Sequence, residues 1–174
     1  MDTTSLDGRR LLVTHISAEG FAETTDQPGL PLAAETLLSS VIGKYALPMT
    51  VAINEADIRG WTPGVDPRSA LRLQEAARQI FSLNSVEPSS AGFSRPTAWK
   101  GREPQDGSLN DSARVSKMNL EREVAGSLHY LHRQLLGPKS RMIAMSWPAD
   151  SLPSIEALSF AREMGVENVL TQTC

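Results

Sequence analysis

This sequence predicts an α/β fold, a parallel five-stranded βα repeat, and three observations lead there. Arg9 to Ile16 is an almost continuous apolar run, the composition of a strand covered on both faces. Strand-like and helix-like stretches then alternate to the end of the chain. Five strands alternating with four helices imply parallel pairing through right-handed crossovers. Two architectures satisfy that order: an incomplete βα barrel that stops before its ring closes, or an open doubly wound sheet with helices on both faces.

The first strand ends at Ile16, and a long acidic loop runs from Ser17 to Gly29. Leu30, Ala34, Leu37, Leu38, Val41, Ile42 and Tyr45 have helical spacing and predict one buried face. Pro48 to Asn54 reads as the second strand. Gly60 to Asp66 makes a turn, and Asp66-Pro67 supplies an N-cap with proline at the first helical position. The helix from Pro67 to Ser82 is expected to turn Leu71, Ala77, Ile80 and Phe81 inward. Asn84 to Ser89 is a short third strand interrupted by Pro88, which cannot donate to a ladder. Ser90 to Lys117 is a long connection rich in Ser, Gly, Pro and charge, the kind that is usually functional or mobile. A helix from about Met118 to Leu136 carries Leu120, Val124, Leu128, Leu131 and Leu135 as its buried stripe, and Gly137-Pro138 stops it. Arg141 to Trp147 is the fourth strand. Pro153 opens a last helix with Ile155, Leu158, Ala161 and Met164 inward and Gly165 closing it, and Val166 to Thr171 is the fifth strand.

Composition bounds the function. At 174 residues, 40% hydrophobic and 21% charged, the chain is expected to be one globular domain spanning 1–174. A formal charge of −3 gives no electrostatic case for nucleic acid or an anionic membrane, and no apolar run is long enough to span a bilayer. Met1 to Asp7 lacks a basic region followed by an apolar one, so no signal peptide is expected; as written the chain would be cytoplasmic, and its localisation is left open. The single cysteine, Cys174, excludes an internal disulfide and Cys-rich metal sites.

Chemical motifs are sparse. Gly92 stands alone, so no phosphate-cradling glycine loop is present, and no nucleophile elbow accompanies His15. His15 lies in an apolar strand and reads as a hydrogen-bonded core histidine. His129 and His132 sit beside Tyr130 and Arg133 on a helix, as on a solvated face or interface. Glu55 and Asp57 follow the second strand, where turn chemistry explains them as well as a site does. Trp99 and Trp147 suit either core packing or stacking on a sugar. At the end of the first strand, His15, Ser17 and Glu19 alternate and point to one side if extended geometry persists.

Several stretches together resemble the polysaccharide deacetylases of the NodB-homology type, the family 4 carbohydrate esterases. His15-Ile16-Ser17-Ala18-Glu19-Gly20-Phe21 is similar to a family strand ending His-x-Asp-Gly-Asp-Gly-Phe. Ser89 to Trp99, with Ala91, Ser94, Arg95 and Pro96, resembles the segment Ala-Ser-His-x-x-Ser-His-Pro-x-x-Trp. Leu120, Glu123, Gly126 and Ser127 look like Leu-x-x-Glu-x-x-Gly-Ser, and Trp147-Pro148-Ala149-Asp150 is similar to a Trp-x-Gly-Asp turn. The version most like this chain is the deacetylase domain of PelA proteins, which act on an exported biofilm polysaccharide.

The resemblance implies a fold, a NodB-like (β/α) barrel here truncated or distorted, and also a loss. Family members use one Asp as general base and the other, with two His, to hold a divalent metal that activates water. Those positions are Ser17, Glu19, Ala91 and Arg95 here. Serine has no carboxylate to take the proton, alanine ligates nothing, and a cationic arginine repels a divalent ion. One carboxylate does not hold zinc, which takes three protein ligands in catalytic sites. The expectation is therefore a catalytically degenerate domain with no catalytic residues, no metal and no cofactor. Its cleft, lined by Ser17, Glu19, Ser94, Arg95, Trp99, Trp147 and Asp150, is expected to bind or scaffold a glycan or a protein in an exopolysaccharide-related context. Arg95 is expected to pair with Glu19 where the cation was. The competing reading is an active metal-dependent polysaccharide N-deacetylase using atypical ligands such as His15 and Asp57. Family members continue past the fifth strand, so the chain is expected to be either a segment of a larger exported precursor or a remnant. The edge of its last strand would suit a homodimer.

Overall fold

The computed structural model describes residues 14–94, 119–137, 141–147 and 152–170. Five strands, β1 (Thr14–Ile16), β2 (Met49–Ile53), β3 (Val86–Ser90), β4 (Ala144–Trp147) and β5 (Glu167–Leu170), form one parallel sheet in the order β1-β2-β3-β4-β5. Every crossover steps one strand in the same direction, so the helices gather on one face and the sheet curls into a half-barrel. A doubly wound sheet would reverse its strand order partway, and this one does not. Of the two architectures that the sequence allows, the partial α/β barrel is the one formed.

The helices are α1 (33–45), α2 (Glu55–Arg59), α3 (Pro67–Phe81), α4 (121–135) and α5 (Ile155–Glu163). Strand alternation divides the sheet's residues. Met49, Val51, Ile53, Val86, Met145 and Trp147 join the main core with Leu73, Ile80, Val124 and Leu131 from the helices. Full burial of each large side chain there contributes about 1.5–3 kcal/mol. The alternate residues face the concave side. Register aligns His15, Thr50 and Glu87 in one row and Ala52, Ser89 and Ala144 in the next. Ser89 and Ser146 share a buried hydrogen bond of 2.8 Å on that side.

Three helices bury most of the face that their spacing predicts, including Ala77, Ile80 and Phe81 of α3, Leu37 and Leu38 of α1 in part, and Ala161 of α5, but each turns some predicted residues outward. In α1, residues Leu38–Ile42 form a π-helical turn, whose extra residue rotates the last turn of the helix relative to the first. Ala34 and Ile42 are buried, whereas Val41 and Tyr45 point outward and Leu30 precedes the helix. In α3 the buried residues are Ala70, Leu73, Ala76, Ala77, Ile80 and Phe81, and only Leu71 of the expected face, about 100° round the helix from Ala70, is exposed. In α5, Ala157 and Ala161 pack inward at i, i+4, leaving Ile155 and Met164 exposed. The α4 stripe of Val124, Leu128, Leu131 and Leu135 is buried as expected.

Pro88 occupies a central strand at little cost. Ala91 N–H donates to the Ile53 carbonyl in β2, so by alternation the nitrogen of residue 88 faces β4. Pairing with β4 starts at Ser89↔Ala144, and Pro88 still accepts from Ile143 N–H at 3.2 Å. No described helix is long and apolar enough to cross a membrane.

Candidate functional site at the carboxyl edge of the sheet

The loops after β1 and β3 meet across β2. Ala18, Ala52 and Ala91 form a small buried cluster of their own, apart from the main core. Ser17 is half-buried beside it and Glu19 is exposed. Gly92 adopts φ +86°, and a Cβ there would stand 3.3 Å from Met145 Cε and 3.5 Å from Glu123 Oε2, so the turn leaving β3 requires the absence of a side chain. Glu123 at the start of α4 holds that turn. Its carboxylate accepts Phe93 N–H at 3.0 Å and Ser94 N–H at 2.9 Å, and the Ser94 hydroxyl as well. Ser127, one turn further on, exchanges a 2.9 Å hydrogen bond with Ser90. The Glu123 and Ser127 positions of the sequence pattern thus fasten helix to loop.

Ser17, Glu19 and Ser94 therefore lie at one end of the sheet. Trp147, the last residue of β4, turns to the core face instead of the mouth. It is 1% exposed, shares the helix-facing side of β4 with Met145, and donates its indole N–H to Asn168 Oδ1 at 2.8 Å. An indole on that side has the core as its surroundings, which corrects its assignment to the cleft. Arg95, Trp99 and Asp150 lie outside the described residues, and so does the expected Glu19–Arg95 pair. No group of three or more His, Cys, Asp or Glu among the described residues could hold a metal ion. The zinc that the deacetylase resemblance implies does not fit the described residues, since Ala91, which the resemblance aligns with a ligand, offers only a buried methyl group.

Two pockets open beside this edge. The first, about 520 Å³, is lined by Glu23, Thr24, Asp57, Thr62, Asp66 and Ser69 among others. Asp57 is buried and accepts the Thr62 hydroxyl. Asp66 caps α3 by accepting Arg68 and Ser69 N–H at 2.8 and 3.2 Å. The Ser69 hydroxyl, with these N–H groups behind it, holds the Asp66 carboxyl below the usual range. The pocket wall is acidic and rich in hydroxyls.

The second pocket, about 440 Å³, lies between α2 and α4. Its floor is Glu55, fully buried and held by Arg59 Nε at 2.6 Å and by both terminal nitrogens of Arg122 at 2.9 and 2.6 Å. Hydrogen bonding to Glu55 raises the Arg122 pKa further. Arg59 lies 3.7 Å from the Tyr130 ring centre and 4.6 Å from that of Trp61, and Arg122 lies 3.9 Å from that of Phe93. Sequence reasoning missed this cluster by reading Glu55 as turn chemistry. The i, i+4 spacing of Glu55 and Arg59 was a visible signal, but the contribution of Arg122, 67 residues away, was not.

His15 departs from expectation too. Neither ring nitrogen has a hydrogen-bond partner among the described residues, and burial lowers its pKa below 6.5 against a smaller opposing effect of Glu19. No protein-family model matches the chain, and no curated protein or solved structure matches it.

Proposed function

We propose that this domain is a non-catalytic, glycan-binding relative of the NodB-type polysaccharide deacetylases, acting in an exopolysaccharide-related context. The observation that carries this reading is the meeting of the Ser17 and Ala91 neighbourhoods over Ala52. If this is a mouth of the deacetylase kind, Ala91 would stand at a ligand position and Ser17 at the base position, which supports the reading. Among the described residues no group of three or more His, Cys, Asp or Glu could hold a metal to polarise an acetyl carbonyl, and Ser17 has no carboxylate to take the proton, which supports recognition as the role.

The acidic pocket beside the mouth favours a particular glycan. Carboxylates of Glu23 and Asp66 and hydroxyls of Thr24 and Ser69 suit an amino sugar, whose free ammonium pairs with carboxylate and whose hydroxyls both donate and accept. The test is titration calorimetry with partly acetylated amino-sugar oligomers, for the native chain and the Glu23→Gln and Trp99→Ala variants. Saturable binding that Glu23→Gln weakens supports the reading, and no binding to the native chain defeats it. Metal analysis of the purified protein checks the competing enzyme. One zinc or nickel per chain would return the active N-deacetylase, with His15 and Asp57 as its first candidate ligands.

A further inference from the structure

We infer that the groove between α2 and α4 is a binding site for a small oxyanion ligand, a phosphate or carboxylate carried on a molecule of about sugar size. The site is independent of the mouth and of the glycan proposed there.

Charge is the first support. The chain as a whole is acidic, with a net charge of −3. Yet Arg59, Arg122 and Arg133 line this groove against the single carboxylate of Glu55, leaving an excess of two positive charges. A cavity of about 440 Å³ is within the range of small-molecule sites.

Geometry then separates the structural arginines from the open ones. Arg122 gives both terminal nitrogens to Glu55 and packs on Phe93, so it is held in place. Arg59 is clamped at Nε by Glu55 and by the Tyr130 and Trp61 rings, yet its two terminal nitrogens meet no acceptor among the described residues. That is a guanidinium oriented in advance at low entropic cost, with its fork open. Arg133 is exposed on the same face of α4 and has no described acceptor either. Exposed His129 and the half-buried Tyr130 complete the same wall. A purely structural role accounts for Glu55, Arg59 and Arg122, since stacked and paired arginines cement helices together. It leaves Arg133 and the open fork of Arg59 unexplained, and both line the same groove. Planar forks of this kind match the oxygen pairs of phosphate and carboxylate.

The experiment titrates the whole chain with inorganic phosphate, glucose 6-phosphate, glucuronate and neutral glucose at fixed low salt, by calorimetry and by NMR shifts of α4 amides. Saturable binding of the charged probes with none for glucose is expected, and preference between glucose 6-phosphate and glucuronate identifies the oxyanion. Arg133→Gln should weaken that binding about tenfold while leaving the melting temperature unchanged, because Arg133 makes no described hydrogen bond or ion pair. Glu23→Gln, in the other pocket, should leave it unaltered. No saturable binding of any oxyanion probe, or a loss under about threefold in Arg133→Gln, would overturn the site.

Discussion

Two pockets flank the five-residue helix α2, and they differ in sign. Glu55 and Arg59, four residues apart, share a face and enter the cationic groove, while Asp57, about 200° round the helix from Glu55, enters the acidic pocket. The acidic pocket is made mainly by loops, where Asp57 accepts the Thr62 hydroxyl and Asp66 accepts the Arg68 and Ser69 N–H groups. The cationic groove is made by helices around one buried carboxylate that two guanidiniums neutralise beyond need. The contrast teaches that one short helix, fixed at its start by Asn54, sorts opposite charges to opposite sides. A sugar amine and an oxyanion then have separate places to go.

The largest expected effect comes from removing the charge that organises the groove. Glu55→Gln should lower stability by about 2–3 kcal/mol in urea unfolding, less than the ~3–5 of a wholly buried pair because both arginines keep part of their surface in water. If stability is unchanged, the groove is not built around that carboxylate. Asn54→Ala comes next. Its side chain accepts Ala56 and Asp57 N–H at 3.0 and 3.3 Å and donates to the Gly92 carbonyl at 3.3 Å. Loss of the cap should cost about 1–2 kcal/mol and weaken ligands of both pockets together, since α2 serves both.

Smaller effects depend on pH. Burial lowers the His15 pKa, so between the folded value and 6.5 the unfolded chain holds a proton that the folded one does not. Stability therefore rises with pH across that window, and His15→Gln should flatten the rise in urea midpoints measured on either side of it. A slope that survives the substitution would assign it to another group. The smallest effect is at Glu35, whose hydrogen bond from Arg72, before any other influence, lowers its pKa below 4.5. Its contribution is present above 4.5 and lost as pH falls through the folded value. At a partly exposed pair it is worth about 0.2–1 kcal/mol, and Arg72→Met should remove it without touching either pocket.

Much of the scaffold was legible. The βα alternation, the Asp66-Pro67 helix start and the α4 stripe follow from local preferences and periodicity, which need no distant partner. Helix phase was less legible, because the π turn in α1 and the alanine-rich inner faces of α3 and α5 make the most hydrophobic residues poor guides to the buried side. At the candidate site, Ser17, Glu19 and Ser94 share one end because parallel strands present their carboxyl ends together, a rule that can be applied to a sequence. Trp147 escaped that rule, since a one-residue alternation decides whether a strand side chain meets the core or the concave face.

The sequence by itself determined the α/β class, the chain order of the five strands and the placement of four of the five helices, the short α2 being the exception. All of these are properties of composition and spacing along the chain. Only tertiary structure decided that the strands run in sequential order around a half-barrel. It alone joined Arg122 to Glu55 across 67 residues and set two pockets of opposite sign on α2. Those outcomes depend on which helix packs beside which strand, and that is settled by burial and charge pairing between segments far apart in the chain.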